Sequence, residues 1–197
     1  MGVDHCITFA KNTYHVDLDY AMGKKIIDLY RNTHRNVCRY WTNVERAFRM
    51  ATQTGQRYEL PYKIRFYRED NATIIELPTG RRLTYTGARV AGTADRPQLV
   101  MPNPASPKNN IQFWGGYLVE NIVQAVSRDI LAEMILNIEK LGLRIPLTVH
   151  DDVSIIVPID EVDTYRPQLE AIAKTPPVWA KELPIDIDCK VSREYCK

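Results

Sequence analysis

The chain has 197 residues, 45% of them hydrophobic and 25% charged. That is enough for one domain with a full core, and it excludes a disordered tail, a collagen-like rod and a disulfide-dense mini-scaffold. The net charge of +2 is unevenly placed, with +6 on residues 1–150, −6 on residues 151–188 and +2 on residues 189–197; a basic body beside an acidic segment fits a polyanion next to a cation site, and it also fits chance.

Residues 17–53 read as one or two helices. Ile26, Ile27, Tyr30, Val37, Tyr40, Trp41, Val44, Ala47 and Phe48 recur close to the helical period. Asp17 or Asp19 can cap the start, because a short carboxylate accepts hydrogen bonds from the orphan amides of a first turn. Gly55 is a stop. Residues 60–101 read as a small β-meander with turns at Asp70-Asn71 and at Pro78-Thr79-Gly80. Residues 102–110 (PNPASPKNN) carry three prolines and read as a loop.

Residues 115–141 give the strongest helical pattern. Val119, Ile122, Val123, Val126, Ile130, Met134, Ile138 and Leu141 fall on one stripe, and Gly142 ends it. Residues 145–158 (IPLTVHDDVSIIVP) are two apolar runs meeting at His150-Asp151-Asp152, which reads as a β-hairpin with the polar triplet at or beside its turn. Residues 159–175 read as helix, and residues 177–197 as a loop and a final strand. No apolar run reaches the roughly 18 residues of a membrane span. The N-terminus shows no signal-peptide core, so a cytoplasmic setting is expected. Cys6, Cys38, Cys189 and Cys196 form no C-x-x-C pair. Reduced thiols are therefore expected, and not a zinc knuckle or a thioredoxin-type motif.

Two adjacent carboxylates between apolar strands are unusual, since Asp is a poor strand residue. Asp-Asp is also common in turns, so an ordinary turn accounts for the triplet as well. The chemical reading is a divalent-cation site. Mg²⁺ takes hard oxygen ligands and is commonly held by one or two carboxylates with substrate phosphates. On the preceding helix, Asn121, Gln124 and Arg128 stand at i, i+3 and i+7, on one face off the apolar stripe. That face is either solvated or a row that hydrogen-bonds bases and sugar-phosphate along a groove. Arg31, Arg35 and Arg39 form another row, with Arg46 and Arg49 beyond it. A solvated, snorkelling face and phosphate contact both fit this row. Ser127 and Ser154 lack a Gly-x-Ser-x-Gly context, and no P-loop is present.

Taken in order, these segments resemble the C-terminal part of family A DNA polymerases, the DNA polymerase I-like group, and in particular its phage members. LPTGRRLTY (77–85) is similar to the family's LPSGR-x-L-x-Y element. WGGYLVENIVQAVSRDIL (114–131) is similar to its duplex-contacting helix, and LTVHDDVSIIVP (147–158) to its VHDE hairpin. PVWAKELPIDIDCKVSREYCK (177–197) is similar to its closing pattern. Leu29-Tyr30-Arg31 and Trp41 resemble the stretch that follows the nucleotide-binding fingers helix.

The resemblance implies roles residue by residue. Asp151 matches the catalytic, metal-ligating aspartate, and Asp152 stands beside it where the family has Glu, with one methylene less reach. His150 matches the histidine beside the primer terminus. Gln124 matches the glutamine that contacts the duplex in the minor groove, and Arg128 follows on the same face. Asn121 stands three residues before Gln124, whereas the family's asparagine stands four before; Glu120 holds that spacing here.

The implied fold is α+β, a partial polymerase palm (an antiparallel sheet with packed helices) plus helices from the base of the fingers and a small β-meander insertion. The implied division is 1–58 for the helices after the fingers helix, 59–113 for the meander and Pro-rich loop, and 114–197 for the palm segment. The implied activity is template-directed nucleotidyl transfer in phage DNA replication, with two Mg²⁺ ions, primer-template DNA and dNTP, in the host cytoplasm. The family's other metal aspartate and its triphosphate-binding helix would precede Met1-Gly2. The expectation is therefore the C-terminal subunit of a split enzyme, or a fragment of one chain, that works only with an N-terminal polymerase polypeptide. Two alternatives stay open: a reverse transcriptase-like or RNA polymerase-like palm, and a non-catalytic DNA-binding or assembly module on a palm scaffold.

Overall fold

Helices open the chain, and their ends follow from local chemistry. The computed structural model describes residues 2–195. Helix α2 (Tyr20–Thr33) starts where the Asp19 carboxylate accepts from the Met22 amide at 2.7 Å. Of the two candidate caps, Asp19 is the one used. Helix α3 (Arg35–Thr54) follows after a break at His34 and ends at Gly55, whose φ of +70° suits a residue without Cβ. Ahead of both lies α1 (Val3–Tyr14), which the sequence reading did not anticipate. It buries no residue, and Val3 and Ile7 lie against Gly23 of α2.

The expected meander is larger than its sequence pattern. Strands β1 (Tyr58–Leu60), β2 (Ile64–Glu69), β3 (Ala72–Glu76) and β4 (Arg82–Thr86) form one antiparallel sheet in chain order. Both expected turns are present, with φ +47° at Asp70 and +85° at Gly80. A break at Gly87-Ala88 starts a second antiparallel sheet, of β5 (Arg89–Thr93), β6 (Arg96–Asn103) and β7 (Ser106–Phe113). The loop expected over 102–110 is therefore corrected to the end of β6, a tight turn and most of β7. Pro107 lies in β7, an edge strand, and Pro102 sits where the β6–β7 register shifts, places where a missing ladder donor costs little.

Helix α4 (Gly115–Glu139) forms as expected, and Gly142 turns the chain out of it with φ +76°. Its buried side is Leu118, Val119, Ile122, Ala125, Leu131 and Ile138. Val123, placed on the stripe by periodicity, is instead 54% exposed, on a side of α4 that no other described element covers and that does not line the groove described below. Helices α3 and α4 approach closely at Gly115, where an added Cβ would collide with the Trp41 carbonyl. The Glu45 carboxylate accepts from the Gly115 amide at 2.7 Å and so satisfies an orphan donor at the start of α4.

One core joins these parts. Phe48 of α3 is fully buried and meets Tyr85 and Phe113 edge-to-face, with ring centroids 5.1 and 5.6 Å apart. Ile64, Phe66, Ile75, Leu77, Leu118 and Ile122 fill in around it. Truncating such a side chain typically costs about 3–5 kcal/mol. Segments 1–58, 59–113 and 114–197 all contribute to this cluster.

The carboxylate-bearing segment is a two-stranded hairpin of β8 (Arg144–Val149) and β9 (Asp152–Ile156), paired with each other alone. The register skips between Arg144 and Leu147, where Pro146 has no amide to donate. Helix α5 (Val162–Lys174) then packs on α4. The final strand expected within 177–197 does not form among the described residues. Ile185, Ile187 and Cys189 are half-buried between exposed Asp186, Asp188 and Lys190, so the segment alternates like a strand but has no ladder partner. Cys196 and Lys197, both part of the closing pattern, lie outside the described residues, as does Met1. Cys6, Cys38 and Cys189 are free thiols, and among the described residues no helix is long and apolar enough to cross a membrane.

Candidate nucleic-acid groove and carboxylate hairpin

Helix α4 presents its polar face to an open groove of about 870 Å³. Asn121, Gln124 and Arg128 line one wall, β4 lines the floor, and Pro102, Asn103, Pro104 and Pro107 of the β6–β7 hairpin form the opposite wall. Arg81, Arg82 and Arg128 are among the lining residues and no carboxylate is. Arg81 and Arg82 are each ion-paired to a carboxylate outside this lining, so Arg128 is the lining cation left without an ion pair to a described residue.

The three predicted residues differ in how they are held. The Asn121 amide donates to the Tyr85 hydroxyl at 3.0 Å, half-buried. Burial pushes the Tyr85 phenol up to about 12, against a smaller downward pull from the Asn121 hydrogen bond. Gln124 is exposed and donates to Glu120 at 3.3 Å, the residue that stands at the family's asparagine spacing. Arg128 is exposed, with no ion pair to another described residue.

A clamp beneath the groove was not visible in the sequence. Asp129, only 9% exposed, accepts from Arg81 Nε at 2.8 Å and from Thr79 Oγ1 at 2.7 Å. The turn of the LPTGRRLTY element is thus tied to α4 next to Arg128. Tyr85 of the same element holds Asn121, so two motifs that are separate in sequence are joined at both ends in space. Nearer the end of α4, Trp179 Nε1 donates to Glu133 at 2.9 Å and pins the C-terminal segment. Arg82 pairs with Glu69 at 2.6 Å and lies over the Tyr67 ring, 5.5 Å from its centroid.

The hairpin is a different environment. His150 and Asp151 make a two-residue turn between paired Val149 and Asp152. His150 has φ +56°, a left-handed conformation costing a non-glycine residue about 1–2 kcal/mol. A hairpin of this length ordinarily takes glycine or asparagine there. His150, Asp151 and Asp152 are all exposed, and no hydrogen bond or ion pair to another described residue engages their side chains. They do not line the α4 groove. The structure therefore unites the three α4 residues and, separately, the three turn residues.

As a cation site, the turn fits in part. Two free carboxylates on a short turn are the hard-oxygen donors that Mg²⁺ accepts alongside substrate phosphates. No group of three or more His, Cys, Asp or Glu side chains able to hold a metal comes together among the described residues. Asp151 and Asp152 can be part of a metal site, and a further ligand must come from outside them.

Fold and site thus define an α+β module with an open groove along α4 and, separately, a carboxylate-tipped hairpin. Over 179 residues the chain is 28% identical to the DNA polymerase of Bacillus phage SP02, a match that covers 88% of this chain. It spans 27% of the length of that polymerase. No protein-family model matches, and no solved structure matches.

Proposed function

We propose that this chain is the palm-bearing C-terminal part of a phage-type family A DNA polymerase, catalysing template-directed nucleotidyl transfer. The observation that carries the reading is the groove, whose lining brings Gln124 and Arg128 together on an exposed face of α4 and includes no carboxylate. The similarity to a phage DNA polymerase over most of the chain supports the same class.

In this reading the duplex lies along α4. Gln124 hydrogen-bonds base edges in the minor groove, where an amide serves every base pair because it both donates and accepts. Arg128 meets a phosphate. His150 orients the primer end, and Asp151 holds the metal centre, with Asp152 beside it. The primer 3′-hydroxyl attacks the α-phosphate of a dNTP, a new phosphodiester bond forms and pyrophosphate leaves. Two Mg²⁺ ions, when bound, make the hydroxyl a better nucleophile and neutralise charge on the leaving oxygens. The second metal aspartate and the triphosphate-binding helix belong to the larger part of the polymerase that these residues do not span, supplied by an N-terminal polypeptide.

The test is primer extension with Mg²⁺ and four dNTPs, using this chain, the remaining polymerase portion, and both together. Extension is expected only from the mixture. No extension from the mixture, with DNA binding retained, would replace this reading with the non-catalytic DNA-binding module.

A further inference from the structure

A second cationic surface lies on α3, away from the α4 groove. Arg35, Arg39, Thr42, Arg46, Arg49 and Gln53 fall within an arc of about 80° at 3.6 residues per turn. That arc is opposite the side that buries Val44, Ala47, Phe48 and Ala51. From Arg35 to Arg49 the row runs about 21 Å at 1.5 Å per residue.

A solvated helix face ordinarily mixes signs, and this one does not. The helix has a single carboxylate, Glu45, which lies outside the arc and is spent on the Gly115 amide. Arg57, Arg65, Arg81, Arg82 and Arg166 are all ion-paired. Arg35, Arg39, Arg46 and Arg49 make no ion pair with a described residue; Arg39 donates only to Asn36, at 3.0 Å. The row also leads somewhere. Arg49 and Gln53 form one side of a groove of about 410 Å³, whose other side is the 90–94 end of the β5–β6 hairpin. Gly92 lines it with φ +85°, and a Cβ there would collide with the Arg96 carbonyl. Arg96 stands at the turn end of this hairpin and Arg89 at the start of β5, both exposed, with Asp95 as the hairpin's one acid.

From this we infer that the α3 stripe and its terminal groove bind the phosphodiester backbone of single-stranded DNA. The polyanion follows from the charge. Its being DNA rests on the polymerase reading, in which the duplex occupies the α4 groove and the strand left over is the unpaired template. The small groove takes an unpaired segment and not a duplex. No aromatic side chain lines it, so contact is with phosphates, without base stacking, and is insensitive to sequence.

The experiment measures binding of a labelled single-stranded oligonucleotide and of a blunt duplex to the 197-residue chain across a salt series. The chain is compared with a variant carrying Arg35→Gln, Arg39→Gln, Arg46→Gln and Arg49→Gln. Glutamine keeps the helix propensity of arginine, and circular dichroism checks the fold. A double variant, Arg35→Gln with Arg39→Gln, serves if the fourfold one does not fold. For the fourfold variant, single-strand affinity should fall about tenfold or more and the slope of log affinity against log salt should flatten by about 3, since each phosphate contact contributes about 0.7. The double variant should lose about half that slope. Duplex affinity should hold. Unchanged single-strand affinity and slope would overturn the inference, and so would an equal loss for the duplex. The polymerase reading stands or falls separately, on the extension assay.

Discussion

Helix α4 and the β8–β9 hairpin carry the two halves of the proposed chemistry, and they are built in opposite ways. The helix is fastened along its length, by Glu45 at Gly115, Tyr85 at Asn121, Arg81 and Thr79 at Asp129, and Trp179 at Glu133. The hairpin is a two-stranded ribbon whose turn side chains engage no described residue. A surface that reads a duplex must hold its shape before the ligand arrives, because positional error erodes both affinity and rate. A carboxylate turn that waits for cations and a further ligand must instead stay free of internal partners. The contrast is between a preorganised wall and a turn whose side chains have no internal partner among the described residues.

Substitutions on either side should separate these roles. The largest effect is expected for Asp151→Asn in the assembled polymerase. It removes a charged ligand at nearly constant shape, so primer extension should fall by orders of magnitude while DNA binding holds, since metal stabilisation of the transferring group is worth several kcal/mol. Next is Asp129→Ala. Loss of a carboxylate that serves both Arg81 and Thr79 should lower stability by about 1–3 kcal/mol in denaturant titrations. Duplex affinity should fall with it, because the floor and wall of the groove come apart. Arg128→Ala should weaken duplex binding and reduce its salt slope by about 0.9, leaving nucleotide affinity alone. Gln124→Ala should likewise weaken primer-template use more than nucleotide affinity.

The smallest effect belongs to Tyr85→Phe, about 1 kcal/mol from the lost hydrogen bond to Asn121. Its signature is pH. The Tyr85 phenol titrates near 12 in the folded chain, against about 10 for an unfolded tyrosine. As pH rises past 10, the unfolded chain releases that proton first, so stability present below 10 is lost progressively toward 12. Unfolding midpoints measured from pH 8 to 11 should drop less steeply for Tyr85→Phe than for wild type.

What the sequence disclosed was local. Periodicity located α4 because its core side is long and regular, and apolar runs flanking a polar triplet located the hairpin. Asn121, Gln124 and Arg128 could be placed on one face from spacing alone. Their supports could not, since Tyr85 lies 36 residues from Asn121 and Thr79 lies 50 from Asp129. No short-range pattern announces such pairings. Strand β7 escaped because prolines that mark a loop are also tolerated on an edge strand. The segment at 185–189 misled in the other direction, since alternation gives it a strand's pattern without a neighbour to pair with.

The most direct test of the division of labour is site-specific photocrosslinking on a primer-template in the assembled polymerase. A benzophenone amino acid replaces Gln124 in one protein and His150 in another, and the crosslinked nucleotide is mapped. The expected result is that position 124 captures the duplex behind the primer terminus and position 150 captures the terminal primer nucleotide. Crosslinks from position 150 only at sites remote from the primer end, or none from position 124 to the duplex, would contradict the account.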